Sequence, residues 1–339
     1  MSNQDKYITL AHGNGGRFMR SLIEDIFARY LGNDQLDVQG DASALPNEAG
    51  ELLFSVDGFT VQPLEFPGGD IGSLAVHGTV NDLAVSGASP RYLSLSAVIE
   101  EGLEFAQLEN YVKSLAAAAE NANVKVVTGD TKVVPHGHGG GLYLNTSGIG
   151  FRPDHIKLGL DQIQAGDKVI VSGSVGDHGT CVMLAREEFG LSGDLQSDSA
   201  CVLPLTLAIR EMPGLRFMRD PTRGGLATVA HEIATFSKMA VRLYEDKIPV
   251  KDPVRSVCEM LGYDPYYLAC EGRVVAIADS HTADEIVSHW QQLPGGDDAC
   301  IIGEIETTDS NHVKVILQTE LGGERLLEEL EDDPLPRIC

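Results

Sequence analysis

Residues 104–134, EFAQLENYVKSLAAAAENANVKVVTGDTKVV, decide the fold of this chain. Their first part, Glu104–Ala122, is an Ala-rich run that predicts a long helix. The apolar run Val124–Val127 then predicts a short strand, which we expect to stop at Gly129. Helical and extended segments are mixed in the same way on both sides of this stretch. The sequence therefore predicts an α+β protein.

The rest of the first half follows the same pattern. Phe18, Leu22, Ile26 and Tyr30 recur at helical spacing and predict a helix over Gly16–Leu31. A further helix is predicted over Gly72–Ser86. The remaining predicted strands of this half are Leu52–Val56, Tyr92–Ile99 and Leu142–Gly150.

A second domain is expected after Phe151–Ile163, where Pro, Gly and charged residues interrupt the pattern. The strands predicted there are Lys168–Ser172, Val274–Ala278 and Val313–Leu317, and the helices are Cys181–Glu188, Val202–Glu211, Gly224–Phe236 and Pro253–Leu261. We expect an N-terminal domain over 1–152, a C-terminal α/β sandwich domain over 153–319 and a mobile tail over 320–339. Within this tail, Glu320–Leu330 is predicted to form an acidic helix, and Pro334 and Pro336 to hold an extended end.

Composition excludes several classes of protein. The 339 residues include 25 Lys and Arg against 50 Asp and Glu, a formal charge of −25. A surface of that sign repels nucleic-acid backbones. No apolar run reaches the roughly 20 residues that a membrane helix needs, and the polar start lacks a secretory signal. The six cysteines form no CxxC pair, which favours the reducing cytoplasm. From these observations together we expect a cytoplasmic protein with no membrane and no nucleic-acid partner.

The segment His12-Gly13-Asn14-Gly15-Gly16 comes directly before a predicted helix. Glycines permit a close backbone approach, and free N–H groups at a helix start attract anions. By itself the pattern is weak, since glycine-rich N-terminal segments are more often simply flexible.

Four aspartates follow apolar runs or stand beside glycines: Asp41, Asp57, Asp82 and Asp220. Each alone is explained by a role as a helix cap or turn residue. As a set they have the carboxylate oxygens that Mg²⁺ prefers, with substrate phosphates or water completing its shell. The set predicts a site for Mg-ATP.

The segment Thr128-Gly129-Asp130-Thr131-Lys132 lies where the predicted strand ends. Lys132 can neutralise phosphate charge, and Thr131 can donate a hydrogen bond. No GxxxxGK[ST] occurs in the chain, so ATP would be bound by an architecture other than the P-loop.

The chain ends in Pro-Arg-Ile-Cys. In an arbitrary protein a terminal cysteine usually has no function. Here the α-carboxylate disfavours the thiolate form of Cys339, whereas Arg337 favours it. A mobile tail would let the Cys339 thiol receive a chemical group at one site and carry it to another. Cys339 is therefore a candidate for chemistry carried on the protein itself.

Together these motifs resemble the HypE family of hydrogenase maturation proteins, in the superfamily of aminoimidazole ribonucleotide synthetase and selenophosphate synthetase. The resemblance covers essentially the whole chain: HGNGG, DGFTVQPLEFPGGDIG, NDLAVSGASPRYLS, GDTKVV, GDHG, RDPTRGGLA and the terminal PRIC. The combination of GDTKVV, RDPTRGG and a terminal PRIC is highly specific.

The resemblance implies an ATP-dependent carbamoyl dehydratase that acts on its own last residue. Cys339 would receive a carbamoyl group from the carbamoyltransferase HypF. ATP would then convert the resulting thiocarboxamide to a thiocyanate. The cyanide would pass to iron on the HypC–HypD scaffold complex, toward the [NiFe]-hydrogenase centre. The resemblance further implies a two-domain synthetase-like fold, in which the N-terminal sheet domain binds ATP and pairs with a second copy to form a homodimer. Leu52–Val56 and Tyr92–Ile99 are the candidate strands for that interface.

The resemblance also assigns roles to residues. The metal ligands would be Asp41, Asp57, Asp82 and Asp220, and the phosphate contacts would be His12–Gly16, Asp130, Thr131, Lys132 and Arg223. Glu271 is the candidate base, with a plain ion pair to Arg273 as the open alternative. The family usually has Asn before this Glu. Here Cys270 stands there, a weaker hydrogen-bond donor whose thiol could compete for the activated carbon.

Other functions account for less of the sequence. Selenophosphate synthetase needs a reactive Cys or selenocysteine near the N-terminus, and the first Cys here is Cys181. The purine-pathway synthetase and thiamine-phosphate kinase leave PRIC unexplained. A carrier that merely ferries carbamoyl groups on its tail would have no use for the aspartates and Lys132.

Overall fold

A computed structural model describes residues 6–38, 42–186, 190, 193–308 and 314–330. These residues form two compact units. The first comprises 6–83 and 88–153, and the second comprises 84–87 and 154–330. None of the described helices combines the length and apolarity that crossing a bilayer requires.

The first unit combines one four-stranded sheet with helices. Its strands are β1 (Glu51–Phe59), β2 (Glu65–Phe66), β3 (Gly69–Asp70), β4 (Ser89–Glu100), β5 (Lys125–Val134) and β6 (Leu142–Arg152). Its helices are α1 (Arg17–Leu22), α2 (Arg29–Leu31), α3 (Ile71–Val85) and α4 (Phe105–Asn121). The sheet has the order β1–β6–β4–β5, in which β4 is parallel to β5 and antiparallel to β6, while β2 and β3 form a separate small ribbon.

One face of this sheet is covered by α3. Thr79 of α3 bonds Thr146 of β6 through their hydroxyls at 2.5 Å. Gly148 leaves room for Thr79 and Leu83, because a Cβ at this glycine would lie 2.6 Å from the Thr79 methyl group. The opposite face of β1 is open in the single chain, where Phe54 is 64% exposed.

The predicted N-terminal helix is present, with a π-helical turn over Ile23–Ala28 between α1 and α2. The strand predicted over Val124–Val127 is β5. The prediction that it stops at Gly129 is wrong, since β5 continues to Val134. Gly129 lies opposite Leu95 in β4. A Cβ at Gly129 would lie 2.5 Å from the Leu95 carbonyl oxygen, so glycine permits this close pairing rather than ending the strand.

The second unit contains a seven-stranded sheet. Its strands are β7 (Lys168–Val171), β8 (Leu215–Arg219), β9 (Ala240–Tyr244), β10 (Val275–Ala278), β11 (Cys300–Glu306), β12 (Val315–Gln318) and β13 (Glu324–Leu326), in the order β13–β12–β9–β11–β7–β10–β8. Its helices are α5 (Asp177–Ala185), α6 (Leu203–Ile209), α7 (Gly225–Ser237), α8 (Asp252–Leu261) and α9 (Ser280–Trp290). Sequence periodicity did not reveal β8, β9, β11 or α9.

This larger sheet is covered on both faces. In β7, Val169 and Val171 pack in the core that contains α7, whereas Ile170 packs in the core that contains α6 and α9. Strands buried on both faces are continuously apolar, which is why β7 and β10 were identifiable from the sequence. The predicted α/β sandwich is confirmed.

The acidic helix predicted over Glu320–Leu330 is wrong. Gly322, with φ of +81°, makes a turn after which β13 pairs antiparallel with β12. Leu327 then enters the core of the second unit. The turn that two consecutive glycines allow overrides the helix propensity of the residues that follow. The predicted extended end with Pro334 and Pro336, together with Arg337 and Cys339, lies outside the described residues.

Candidate active site

In the first unit, the glycine-rich turn lies against strand β5. Gly13 ends a 3-10 helix over Leu10–Gly13, and a Cβ there would come within 2.9 Å of the Val133 backbone nitrogen. Among the described residues, apart from each glycine's own chain neighbours, no heavy atom lies within 4 Å of a Cβ placed at Gly15 or Gly16. The turn is therefore anchored at one end by close packing and open at the other.

His12 has a structural function in this turn. Its imidazole is buried, and Nδ1 accepts a hydrogen bond from the Thr9 N–H at 3.1 Å. The ring also packs edge-on against Phe105, with the centroids 5.1 Å apart. These contacts fix the start of the turn, and the predicted phosphate contact of His12 stays a prediction.

Strand β5 presents the charged residues of the GDTK motif. Because side chains alternate along a strand, Asp130 and Lys132 share one face and Thr131 points to the other. Lys132 Nζ lies 2.8 Å from Asp130 Oδ2, and the two side chains are 61% and 54% exposed. Thr131 is buried. The motif thus offers an exposed cation whose charge is balanced locally.

Beside this part of β5 is a cavity of about 140 Å³. Apolar side chains form most of its wall, namely Met19, Ile23, Phe27, Ala28, Leu31, Leu36, Val38, Leu95 and Val126, and its polar part is formed by Asp37 and Thr128–Thr131. The π-helical turn provides Ile23, Phe27 and Ala28. The predicted phosphate contacts Asp130 and Thr131 therefore border an apolar pocket.

Two of the four predicted metal ligands lie at the interface between β1 and α3. The Ser55 hydroxyl of β1 donates to Asp82 Oδ2 of α3 at 2.6 Å. One turn earlier in α3, a Cβ at Gly78 would lie 3.4 Å from Asp57 Oδ2. Asp57 lies inside β1, not after its end as expected. The strand and the helix therefore bring Asp57 and Asp82 to one interface.

The remaining predicted ligands are Asp220, which belongs to the second unit, and Asp41, which lies outside the described residues. Across the part of the chain that the structure describes, no three His, Cys, Asp or Glu side chains are grouped closely enough to hold a metal. Any cation held at Asp57 and Asp82 would need further oxygen ligands, such as phosphate or water, as is usual for Mg²⁺.

In the second unit, the RDPTRGG segment forms the loop between β8 and α7. Asp220 in this loop is buried. Gly225, with φ of +59°, packs so closely that a Cβ there would lie 2.5 Å from the Leu268 carbonyl oxygen. The Cys270 N–H also donates to the Pro221 carbonyl at 2.9 Å. The loop that carries Asp220 and Arg223 is therefore fixed to the segment that leads to Glu271.

Glu271 is buried, and its backbone is held by a neighbouring loop. Its N–H donates to Asp198 Oδ1 at 3.3 Å, and its carbonyl accepts from the Ala200 N–H at 3.3 Å. Burial raises the pKa of Asp198, against the opposing effect of Arg273. Asp198 was not identified from the sequence, because a lone aspartate in a polar loop carries no signal of its burial.

Arg273 is the centre of a buried ionic cluster. Its Nη2 lies 3.3 Å from Asp177 Oδ2, and its Nε lies 3.5 Å from Asp198 Oδ2. Lys251 also approaches Asp177 Oδ2 at 2.6 Å. Arg273 therefore has two carboxylate partners that the sequence did not reveal. The signal was present in GDHG, where an acid follows Gly176 at the start of α5.

Family models match both halves of the chain. Residues 39–151 match the N-terminal domain of AIR synthase related proteins, and residues 164–316 match the C-terminal domain. A carbamoyl dehydratase HypE from Azotobacter vinelandii is 44% identical over 333 residues, which are 98% of this chain and 97% of the relative. This chain belongs to the HypE family.

Two solved structures extend the comparison. A HypE structure in complex with ATP is 42% identical, with a TM-score of 0.92 over 97% of this chain and 99% of the other. The HypE–HypF complex contains a chain 40% identical, with a TM-score of 0.79 over 91% of this chain and 100% of the other. The predicted family, its two-domain synthetase-like fold and its class of enzyme, the carbamoyl dehydratases of hydrogenase maturation, are confirmed.

Proposed function

We propose that this chain uses ATP to dehydrate a carbamoyl group on its own Cys339, giving a thiocyanate that provides the cyanide ligands of the [NiFe]-hydrogenase iron. The observation that supports this most is local. The glycine-rich turn, Lys132 and an apolar cavity occur together in the first unit of a chain that closely matches an ATP-bound HypE structure.

For ATP, we propose that the open end of the turn at Gly15 and Gly16, together with Asp130, Thr131 and Lys132, meets the phosphates. The aromatic base would occupy the neighbouring cavity, whose apolar wall suits a flat ring and whose polar edge can accept its amino group. In the second unit, Arg223 is assigned to the same phosphates on the strength of its place in RDPTRGG.

For magnesium, the residues present fit the ion. Asp57 and Asp82 offer hard oxygen donors at one interface, and Mg²⁺ commonly takes one or two carboxylates plus substrate phosphates. We assign Asp41 and Asp220 to the same ligand set. When bound, the ion would neutralise charge on the phosphates during transfer.

The proposed chemistry proceeds in two steps that balance. The carbamoyl oxygen attacks the γ-phosphorus of ATP, so that a C–O–P bond forms, ADP leaves and the nitrogen loses one proton. The C–O bond then breaks, phosphate leaves, the second nitrogen proton is removed and S–C≡N remains. Phosphorylation is needed because hydroxide is a poor leaving group and phosphate a good one.

We assign the base role to Glu271, whose backbone is held rigidly by Asp198 and Ala200. General bases of this kind contribute about 10²–10⁴-fold to a rate. Lys132 would stabilise the charge that develops on the transferred phosphoryl group.

A homodimer is proposed from the open face of β1. Leu52, Phe54 and Val56 alternate along this edge strand and are 57%, 64% and 59% exposed. Such an apolar row on a sheet is typically covered by a partner, and a second copy offers the same row. Phe54→Glu should give a monomer in light scattering at micromolar concentration. Phe236→Glu, at a site 68% exposed in the second unit, should not.

The partners proposed for the tail are HypF, which would load the carbamoyl group, and the HypC–HypD complex, which would receive the cyanide. The HypE–HypF complex supports the first of these. All of these steps require a reduced thiol, which agrees with a cytoplasmic location.

Mass spectrometry of the C-terminal peptide tests the function directly. Carbamoylated full-length protein incubated with Mg-ATP should lose the mass of one water, and protein lacking Cys339 should bind ATP without acquiring either modification. An unchanged carbamoyl mass in the presence of bound ATP would instead support a carrier that ferries the group without converting it.

A further inference from the structure

Cys270 directly precedes Glu271 and makes hydrogen bonds to three parts of the chain, at Gly176, Pro221 and Leu268. Its side chain is fully buried. Its sulfur accepts a hydrogen bond from the Gly176 N–H at 3.2 Å, and its thiol lies 3.8 Å from the Leu268 carbonyl oxygen as a donor. One side chain therefore serves as both acceptor and donor, which a thiol can do and an aliphatic group cannot.

The backbone on either side of Cys270 is fixed in the same way. The Ala269 carbonyl accepts from the Gly179 N–H at 3.1 Å. After Glu271, the Gly272 N–H donates to Asp198 Oδ2 at 3.3 Å. A Cβ at Gly272 would lie 1.8 Å from the Asp198 carbonyl oxygen. The backbone at Gly272 therefore packs against the loop at Asp198 with no space for a side chain.

We propose that Cys270 is a positioning residue, whose sulfur ties the segment carrying Glu271 to the turn at Gly176 and thereby fixes where the Glu271 carboxylate is presented. The inference rests on the proposed function, because Glu271 needs a fixed position only if it removes a proton. Gly176, with φ of +81°, forms the turn before α5, and its N–H would otherwise be a buried donor without a partner.

The same geometry excludes Cys270 as a competing nucleophile. Burial raises the pKa of its thiol well above the ordinary value, with the carboxylate of Asp198 acting in the same direction. A thiol that stays protonated and has no exposed surface is inert. The sulfur contributes through its hydrogen bonds, not through reactivity.

Substitutions separate positioning from general stability. Ser keeps an acceptor and a donor at position 270, whereas Ala keeps neither. With carbamoylated full-length protein at saturating ATP, Cys270→Ala should lower the single-turnover rate constant of dehydration, here called kcat, by about fivefold to tenfold, the effect of one lost hydrogen bond. The KM for ATP should be unchanged, and Cys270→Ser should restore most of kcat.

The matched control is Cys258→Ala, which removes another buried thiol, on α8. It should lower the melting temperature and leave kcat unchanged. Folded Cys270→Ala protein with wild-type kcat would overturn the inference, and so would a Ser variant no better than Ala.

Hydrogen exchange on the wild-type protein gives a test that needs no variant to fold. The Gly176 amide should exchange slowly, in step with global unfolding, and fast exchange there would overturn the inference. The two proposals fail separately. A wild type that binds ATP and never loses water overturns the function, whereas an unprotected Gly176 amide overturns only the role of Cys270.

Discussion

The GDTK motif in the first unit and the segment around Glu271 in the second hold their charged groups in opposite ways. Lys132 is 61% exposed and meets one carboxylate of its own strand. Arg273 is 11% exposed and meets two carboxylates that are fully buried. Because Lys132 is exposed and its partner Asp130 is only two residues away, its ammonium group can leave that carboxylate and contact a phosphate instead. A buried group among loops from distant parts of the chain is held by the fold.

The largest expected effect concerns catalysis in the buried region. Glu271→Gln should lower the rate of dehydration by about 10²–10⁴-fold, because the amide cannot take the nitrogen proton. ATP binding should be unchanged, since phosphate contacts are assigned elsewhere. Single-turnover mass spectrometry of the tail, with ATP affinity measured by calorimetry, checks both. An unchanged rate would remove Glu271 from the mechanism and make its burial purely structural.

The next effect concerns stability. Arg273→Ala leaves Asp177 and Asp198 buried without their guanidinium and should destabilise the protein by about 3 kcal/mol. Arg219→Ala, which breaks a pair with Glu232 in which the arginine is 49% exposed, should cost at most about 1 kcal/mol. Denaturant unfolding of the two variants checks the contrast. Equal losses would show that burial does not distinguish these two pairs.

A smaller effect is expected at the exposed motif. Lys132→Ala should leave the free energy of unfolding within about 1 kcal/mol of the wild type, as for other exposed ion pairs. Its ATP affinity should fall, and the dependence of that affinity on salt should become shallower, because one phosphate-facing cation is lost. Lys132→Arg should keep most of the affinity. A Lys132→Ala protein that binds ATP normally would contradict the proposed phosphate contact.

The smallest effect concerns pH and a half-buried pair. Hydrogen bonds from Lys168 and Tyr244 lower the pKa of Glu304. Because the pKa of Glu304 is lower in the folded state than in the unfolded state, the ionised carboxylate stabilises the fold at pH values above the ordinary Glu pKa of about 4.3. This stabilisation is lost as the pH falls from there through the folded-state pKa. Glu304→Gln should therefore lie below the wild type in stability at pH 7 and approach it in acid. A Glu304→Gln variant that loses equal stability at pH 7 and in acid would contradict this linkage.

The exposed GDTK motif could be predicted from the sequence, whereas the buried cluster around Arg273 could not. The GDTK motif was found from consecutive residues, since a strand places Asp130 and Lys132 on one face by its period alone. Asp198, in a loop, and Asp177, at the start of α5, are far from Arg273 in the chain, and no local pattern pairs either of them with it. The strand containing Gly129 was predicted too short because the carbonyl opposite that glycine is a tertiary contact.

By itself, the sequence determined the family, the α+β class and most helices, and it predicted candidate residues for phosphate, metal and base. These follow from local periodicity and short motifs, which the covalent order of residues fixes. Tertiary structure decided that Asp57 and Asp82 meet across a strand and a helix, that 324–326 is a strand, and that Cys270 lies in a core against Gly176. Those outcomes depend on which distant groups approach one another, because burial and hydrogen-bond partners are properties of the packed chain.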